Sequence, residues 1–118
     1  MKIEELKDLD IRDKSRHFNM ISEKGGRVHF AISAKKDKDG KTEMCACDWN
    51  APKEGKRFLA ELEKYADKHG FLLTVSNVIN PALETILRHA EYEESYEELS
   101  YLDGDTIQIF KRKTKKEK

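Results

Sequence analysis

The segment from Asn50 to Arg57 reads Asn-Ala-Pro-Lys-Glu-Gly-Lys-Arg and leads into a helical pattern, so phosphate chemistry is the first to consider. A chain entering a helix presents unpaired backbone N–H groups at the positive end of the helix dipole, which suits a phosphate or pyrophosphate. Gly55 would let an anion come close to the backbone, and Lys53, Lys56 and Arg57 offer charge-assisted hydrogen bonds. Glu54 opposes them. The same residues also suit an ordinary solvated helix start, and composition leaves both readings open. Cys45 and Cys47 stand one residue apart, which on a strand puts both thiols on one face and argues against a disulfide framework. No base or cation lies at a spacing that would lower a thiol pKa, so reduced core thiols are expected. His17, His29, His69 and His89 are scattered without metal-ligand spacing, and no metal site is expected.

The elements that position these residues follow from hydrophobic period. Phe18 and Met20 begin an extended segment that ends at Lys24-Gly25-Gly26, after which Val28, Phe30, Ile32 and Ala34 alternate with polar or small residues. That is a hairpin with one buried face. Asp39-Gly40 then turns the chain into Thr-Glu-Met-Cys-Ala-Cys-Asp-Trp, where strict alternation sets Met44 and Ala46 opposite Cys45, Cys47 and Trp49. After Pro52 the period becomes helical through Phe58, Leu59, Leu62, Tyr65, Ala66 and His69, with Gly70 as the C-cap. Residues 71 to 76, Phe-Leu-Leu-Thr-Val-Ser, form a continuous apolar run suited to a buried strand with a parallel neighbour. Asn80-Pro81 opens a second helix with Leu83, Ile86, Leu87 and Ala90 on its buried stripe. A hairpin of Tyr92 to Tyr96 and Thr106 to Lys111 across Asp103-Gly104 closes the pattern, while Met1 to Arg16 fits a weak helix or an edge strand equally.

Length and charge bound the function classes. The 118 residues suit one domain, spanning 1 to 112, followed by a basic solvated tail at 113 to 118. Lys plus Arg and Asp plus Glu both total 23, so no global charge draws the chain to nucleic acid or an anionic membrane. The basic end alone is a weak basis for nucleic-acid binding. The opening residues lack the apolar run of a signal peptide or membrane span, and a cytoplasmic protein without membrane partners is expected.

The order strand, strand, strand, helix, strand, helix, hairpin resembles the GNAT-type N-acetyltransferases from their second strand onward. In that family the first of these helices opens with Gln/Arg-x-x-Gly-x-Gly/Ala and closes on Tyr-Ala, a short basic stretch and Gly. Anchoring on Tyr65-Ala66 and Gly70 puts Asn50, Lys53 and Gly55 on the three motif positions, so one glycine survives and Lys53 replaces the other. The following helix of the family shows Asn, spaced aliphatic residues, Tyr and later Gly-Phe. Asn80, Leu83, Ile86, Leu87, Glu91 and Tyr92 fall on those positions, with Leu87 in place of the tyrosine and Glu91 in place of the glycine.

The resemblance implies an α+β fold, a mostly antiparallel mixed sheet flanked by helices, and acetyl-CoA as cofactor. Its pyrophosphate would meet Asn50, Lys53, Gly55, Lys56, Arg57 and Asn80. Its pantetheine arm would pair in a splay between the third strand of the run and residues 72 to 76, where Cys47 and Trp49 could line the channel or belong to the core. The implied reaction moves an acetyl group from a thioester to an amine, which needs a proton acceptor and often a thiol-protonating group. With Leu87 on the tyrosine position, Tyr92 or Tyr96 stands in for the acid and Glu43 or Asp48 for the base, each also readable as structural. The acceptor is a small-molecule or protein amine. Residues 10 to 17 leave almost no room for the one or two helices that form the acceptor wall in the family, so the resemblance implies that a second subunit could supply it. The alternative is a non-catalytic scaffold of the same fold acting through protein contacts.

Overall fold

Strand pairing builds the molecule outward from its most apolar segments. The computed structural model describes residues 1–7, 15–36, 39–51, 53–76, 81–98 and 106–112. In chain order the elements are β1 (Lys2–Leu6), β2 (Arg16–Ile21), β3 (Arg27–Lys36), β4 (Thr42–Asn50), α1 (Gly55–His69), β5 (Leu72–Ser76), α2 (Pro81–His89), β6 (Glu93–Glu98) and β7 (Thr106–Lys111). They form an α+β fold with one sheet ordered β1-β2-β3-β4-β5-β7-β6. All neighbouring strands are antiparallel except β4 and β5, so the apolar run at 72 to 76 does have a parallel neighbour. Met1 to Arg16, ambiguous in sequence, contributes the edge strand β1, paired from Lys2↔Ile21 to Leu6↔His17.

Both helices cover one face of this sheet. Phe18, Met20, Val28, Phe30, Ile32, Met44, Ala46, Leu73, Val75 and Phe110 face Phe58, Leu59, Leu62, Ala66, Leu83 and Leu87 in one core. Gly70 ends α1 in the left-handed region at φ 72°, and the Phe71 amide donates to the Ala66 carbonyl at 2.8 Å. The opposite face carries His17, Asn19, His29, Cys45 and Asp48, and among the described residues no helix lies on it.

Three sequence expectations about facing are corrected. Ala90, expected on the buried stripe of the second helix, is exposed just past the end of α2. The β3–β4 register passes from His29↔Asp48 to Phe30↔Ala46, so Cys47 is an extra residue in a β-bulge. A bulge advances the alternation by one, and Trp49 therefore joins Met44 and Ala46 on the helix face, where its ring meets Phe58 edge-on at 6.4 Å. Ala34, expected in the buried stripe, is exposed where the β3–β4 register shifts again between Ile32 and Lys36. Asn80, the Asp103-Gly104 turn, the Tyr96 side chain and the tail at 113 to 118 lie outside the described residues.

Candidate functional site

The end of β4 and the beginnings of α1 and α2 converge. The parallel β4–β5 pairing runs only from Glu43↔Leu72 to Ala46↔Val75, while β4 continues to Asn50. Among the described residues, the last part of β4 has no partner on the β5 side. Beside it a cavity of about 280 Å³ is lined by Trp49, Ala51, Lys53, Gly55, Lys56, Ala82, Leu83 and Ile86. That volume is at the low end for small-molecule pockets of roughly 300–1,000 Å³, so it would hold part of an extended ligand rather than the whole. Its walls are mostly apolar, with two cations at one end.

The charge at that end is shaped by a network that sequence reasoning missed. Glu54 is the N-cap of α1 by position, yet its side chain caps no amide of the helix. Instead Glu54 is buried, its Oε2 accepting from Ser22 Oγ at 2.8 Å and its Oε1 from Arg57 Nη1 at 3.3 Å. Arg57 also donates to Glu23 at 2.7 Å. The carboxylate that opposed the local basic charge is thus tied to the β2–β3 turn, and Arg57 goes with it. Lys53 and Lys56 remain on the cavity wall without an acidic partner among the described residues. Gly26 admits this arrangement, since a Cβ there would sit 2.4 Å from Glu54 Oε2. No local pattern marks Ser22 and Glu54 as partners, because they are 32 residues apart.

Backbone conformation adds a second signal. Lys53 and Glu91 are the non-glycine residues with positive φ among those described, at 63° and 62°. An L-residue in that region carries about 1–2 kcal/mol of steric cost, and glycine avoids it. Gly55, by contrast, has negative φ and is the first residue of α1. A Cβ on it would approach Ile86 Cδ1 to 2.9 Å, so this glycine also serves the close approach of the two helices.

No protein-family model, curated protein or solved structure matches the chain.

The remaining sequence candidates are dispersed around this site. Asn50 is exposed at the end of β4, opposite Arg27. Cys47 occupies the bulge, its Sγ 3.9 Å from the His29 carbonyl, and burial first, then Cys45 and Asp48, push its thiol up to about 11. Asp48 is exposed on the face away from the helices. Glu43 accepts from Thr74 Oγ1 at 3.1 Å and lies six residues before Trp49, roughly 20 Å along the strand. Tyr92 is buried and donates to Glu63 Oε2 at 2.8 Å; burial, then that hydrogen bond, hold its hydroxyl protonated far above the ordinary phenol range. Leu87 is fully buried and is not on the cavity wall, where Ile86 stands instead. Ala51 and Ala82 line the cavity without any sequence mark beyond apolarity, whereas Leu83 and Ile86 are marked by helical spacing and by the motif positions of the second helix. Among the described residues no set of three His, Cys, Asp or Glu side chains could hold a metal, and no helix is long and apolar enough to cross a membrane.

Proposed function

We propose that the chain is a shortened GNAT-type protein that binds acetyl-CoA between the end of β4 and the starts of α1 and α2, and passes the acetyl group to an amine. The supporting observation is the backbone at Lys53 and Glu91. Both positions on which the resemblance expects glycine and finds another residue have left-handed φ. Replacing glycine at such a position does not change the path of the chain; it adds strain to it. Substitution inside an inherited backbone accounts for both.

The cavity chemistry agrees with the phosphate and pantetheine parts of this ligand. Lys53, Lys56 and the uncapped amides of α1 suit a pyrophosphate, and the edge of β4 that has no partner among the described residues suits an amide-bearing arm that adds as a strand would. Apolar Trp49, Leu83 and Ile86 suit its methylene segments. On this reading the acceptor wall, for which the β1–β2 connection has no room, comes from a second copy. The scaffold reading is favoured by one observation: the described cavity wall holds no acid or base besides the two lysines, since Tyr92 is committed to Glu63 and Leu87 to the core.

Thermal melts with acetyl-CoA test binding. At about 100 times its dissociation constant the cofactor adds roughly 2.7 kcal/mol to the folded state, a clear rise in melting temperature. The double variant Lys53→Glu, Lys56→Glu should melt as the parent does without cofactor and lose the rise with it. Trp49, the only tryptophan, reports the same event by fluorescence. No rise at millimolar acetyl-CoA would leave the scaffold reading. Release of free coenzyme A thiol in the presence of a primary amine then separates transfer from binding.

A further inference from the structure

The sheet face away from the helices contains a hydrogen-bonded pair of histidines. His17 Nδ1 and His29 Nε2 are 2.9 Å apart, and His29 Nδ1 is 3.3 Å from Asn19 Oδ1. The pair bridges β2 and β3, with His17 opposite Ala31 and His29 opposite Asn19. His17 Nε2 is buried and has no hydrogen-bond partner among the described residues.

Counting protons limits what this pair can hold. The short nitrogen–nitrogen contact needs one proton between the rings and one bare lone pair to receive it. With both rings neutral, Asn19 Oδ1 accepts from His29 Nδ1, His29 Nε2 accepts from His17 Nδ1, and His17 Nε2 keeps a free lone pair. A third proton can occupy that lone pair without disturbing the contact. A fourth cannot, because His17 Nδ1–H would then face His29 Nε2–H. We infer that His17 and His29 act as a single-proton unit: the pair holds at most one positive charge while β2 and β3 stay together here, and binding of a second proton opens this part of the sheet.

The surroundings bear on the second proton from every neighbouring strand. By register, β1 brings the Lys2–Glu4 ion pair to this face, β3 brings Arg27, and β4 brings Cys45, Cys47 and Asp48. Asp48 favours a charged His29, whereas burial, the largest influence, together with His17 and Arg27 holds its pKa below the ordinary 6.5. For a base whose folded pKa is depressed, the contribution to stability is present above the unfolded value and is lost as pH falls through the folded one. The opening therefore belongs to pH below the ordinary histidine range. The site is separate from the cavity and does not depend on the cofactor reading.

Histidine-resolved nuclear magnetic resonance across pH, paired with amide exchange, tests this on the intact chain. In the parent the His17–His29 pair should take up its two protons in separate steps, and across the lower one the protection of β2 amides, corrected for intrinsic exchange, should fall at least about tenfold relative to Val75 in β5. His17→Gln and His29→Gln should each leave a single protonation step at the remaining member of the pair and remove that fall. If both histidines of the parent titrate together near the ordinary value, or if β2 protection is unchanged through the lower step, the inference is overturned. The parent alone decides this even where a variant fails to fold.

Discussion

Glu91 shows how much a single backbone angle can say. It follows α2 with φ 62°, and the Tyr92 amide donates back to the Leu87 carbonyl at 3.0 Å, the kind of helix end that glycine completes without strain. Glu91→Gly should therefore stabilise the protein by about 1 kcal/mol, despite the greater freedom glycine has when unfolded. That corresponds to a rise of roughly 4 °C or more in a thermal melt of a domain this size, and a fall would show that the angle relaxes at little cost. Cys47 gives a residue-scale prediction of opposite kind. With its thiol pushed up to about 11 by burial, only about one molecule in a thousand carries the thiolate at pH 8. Alkylation at that pH should be much slower at Cys47 than at an exposed cysteine, and unfolding in denaturant should abolish the difference. Rapid labelling of native Cys47, located by peptide mass, would contradict the burial that the bulge imposes.

At the scale of elements, α2 distinguishes the two faces that its sequence could present. Leu87 is buried in the core and Leu83 joins the core to the cavity wall, whereas Ile86, one position from Leu87 and about 100° around the helix, reaches the cavity and the first residue of α1. A tyrosine at position 87 would consequently enter the core rather than overhang a thioester. Leu87→Tyr should cost roughly 1–3 kcal/mol by overpacking and give no acceleration of acetyl transfer, measured by a melt and by thiol release on the same sample. Faster transfer in that variant would require α2 to rotate relative to the structure described. The element scale also explains Gly55. A Cβ there meets the flexible end of Ile86 rather than backbone, so alanine needs only a small displacement, whereas a longer side chain must either displace Ile86 or enter the cavity.

For the whole molecule, the sheet order leaves β1 and β6 at the edges. Nine residues, 7 to 15, connect β1 to β2, too few for two helices of typical length of about 11 residues each. If the acceptor wall comes from a second copy, light scattering after gel filtration should give twice the mass of one chain, and transfer activity should fall on dilution into the monomer. A monomer with undiminished transfer would place the wall within a single chain. Both edges carry charge, Lys2, Glu4 and Glu5 on β1 and Glu93 and Glu94 on β6, which disfavours open-ended edge pairing.

Short-range pattern determined more of this protein than its two candidate motifs did. The alternation of Phe18, Met20, Val28, Phe30 and Ile32 marked the core face of a hairpin, the helical recurrence from Phe58 to Ala66 marked α1, and Gly70 marked its end, because side-chain direction repeats every two or 3.6 residues and needs no distant partner. The parallel neighbour of β5 was legible for a related reason, since a strand buried on both sides of its backbone shows an unbroken apolar run. The candidate lysines were legible as a basic stretch, but not their division, in which Arg57 is held by Glu23 and Glu54 while Lys53 and Lys56 stay on the cavity wall. The face of Trp49, the withdrawal of Glu54 to Ser22, and the meeting of His17 with His29 were decided only by tertiary structure. Each depends on a register shift or on a contact between separate strands and turns, and such contacts join residues that no local period connects.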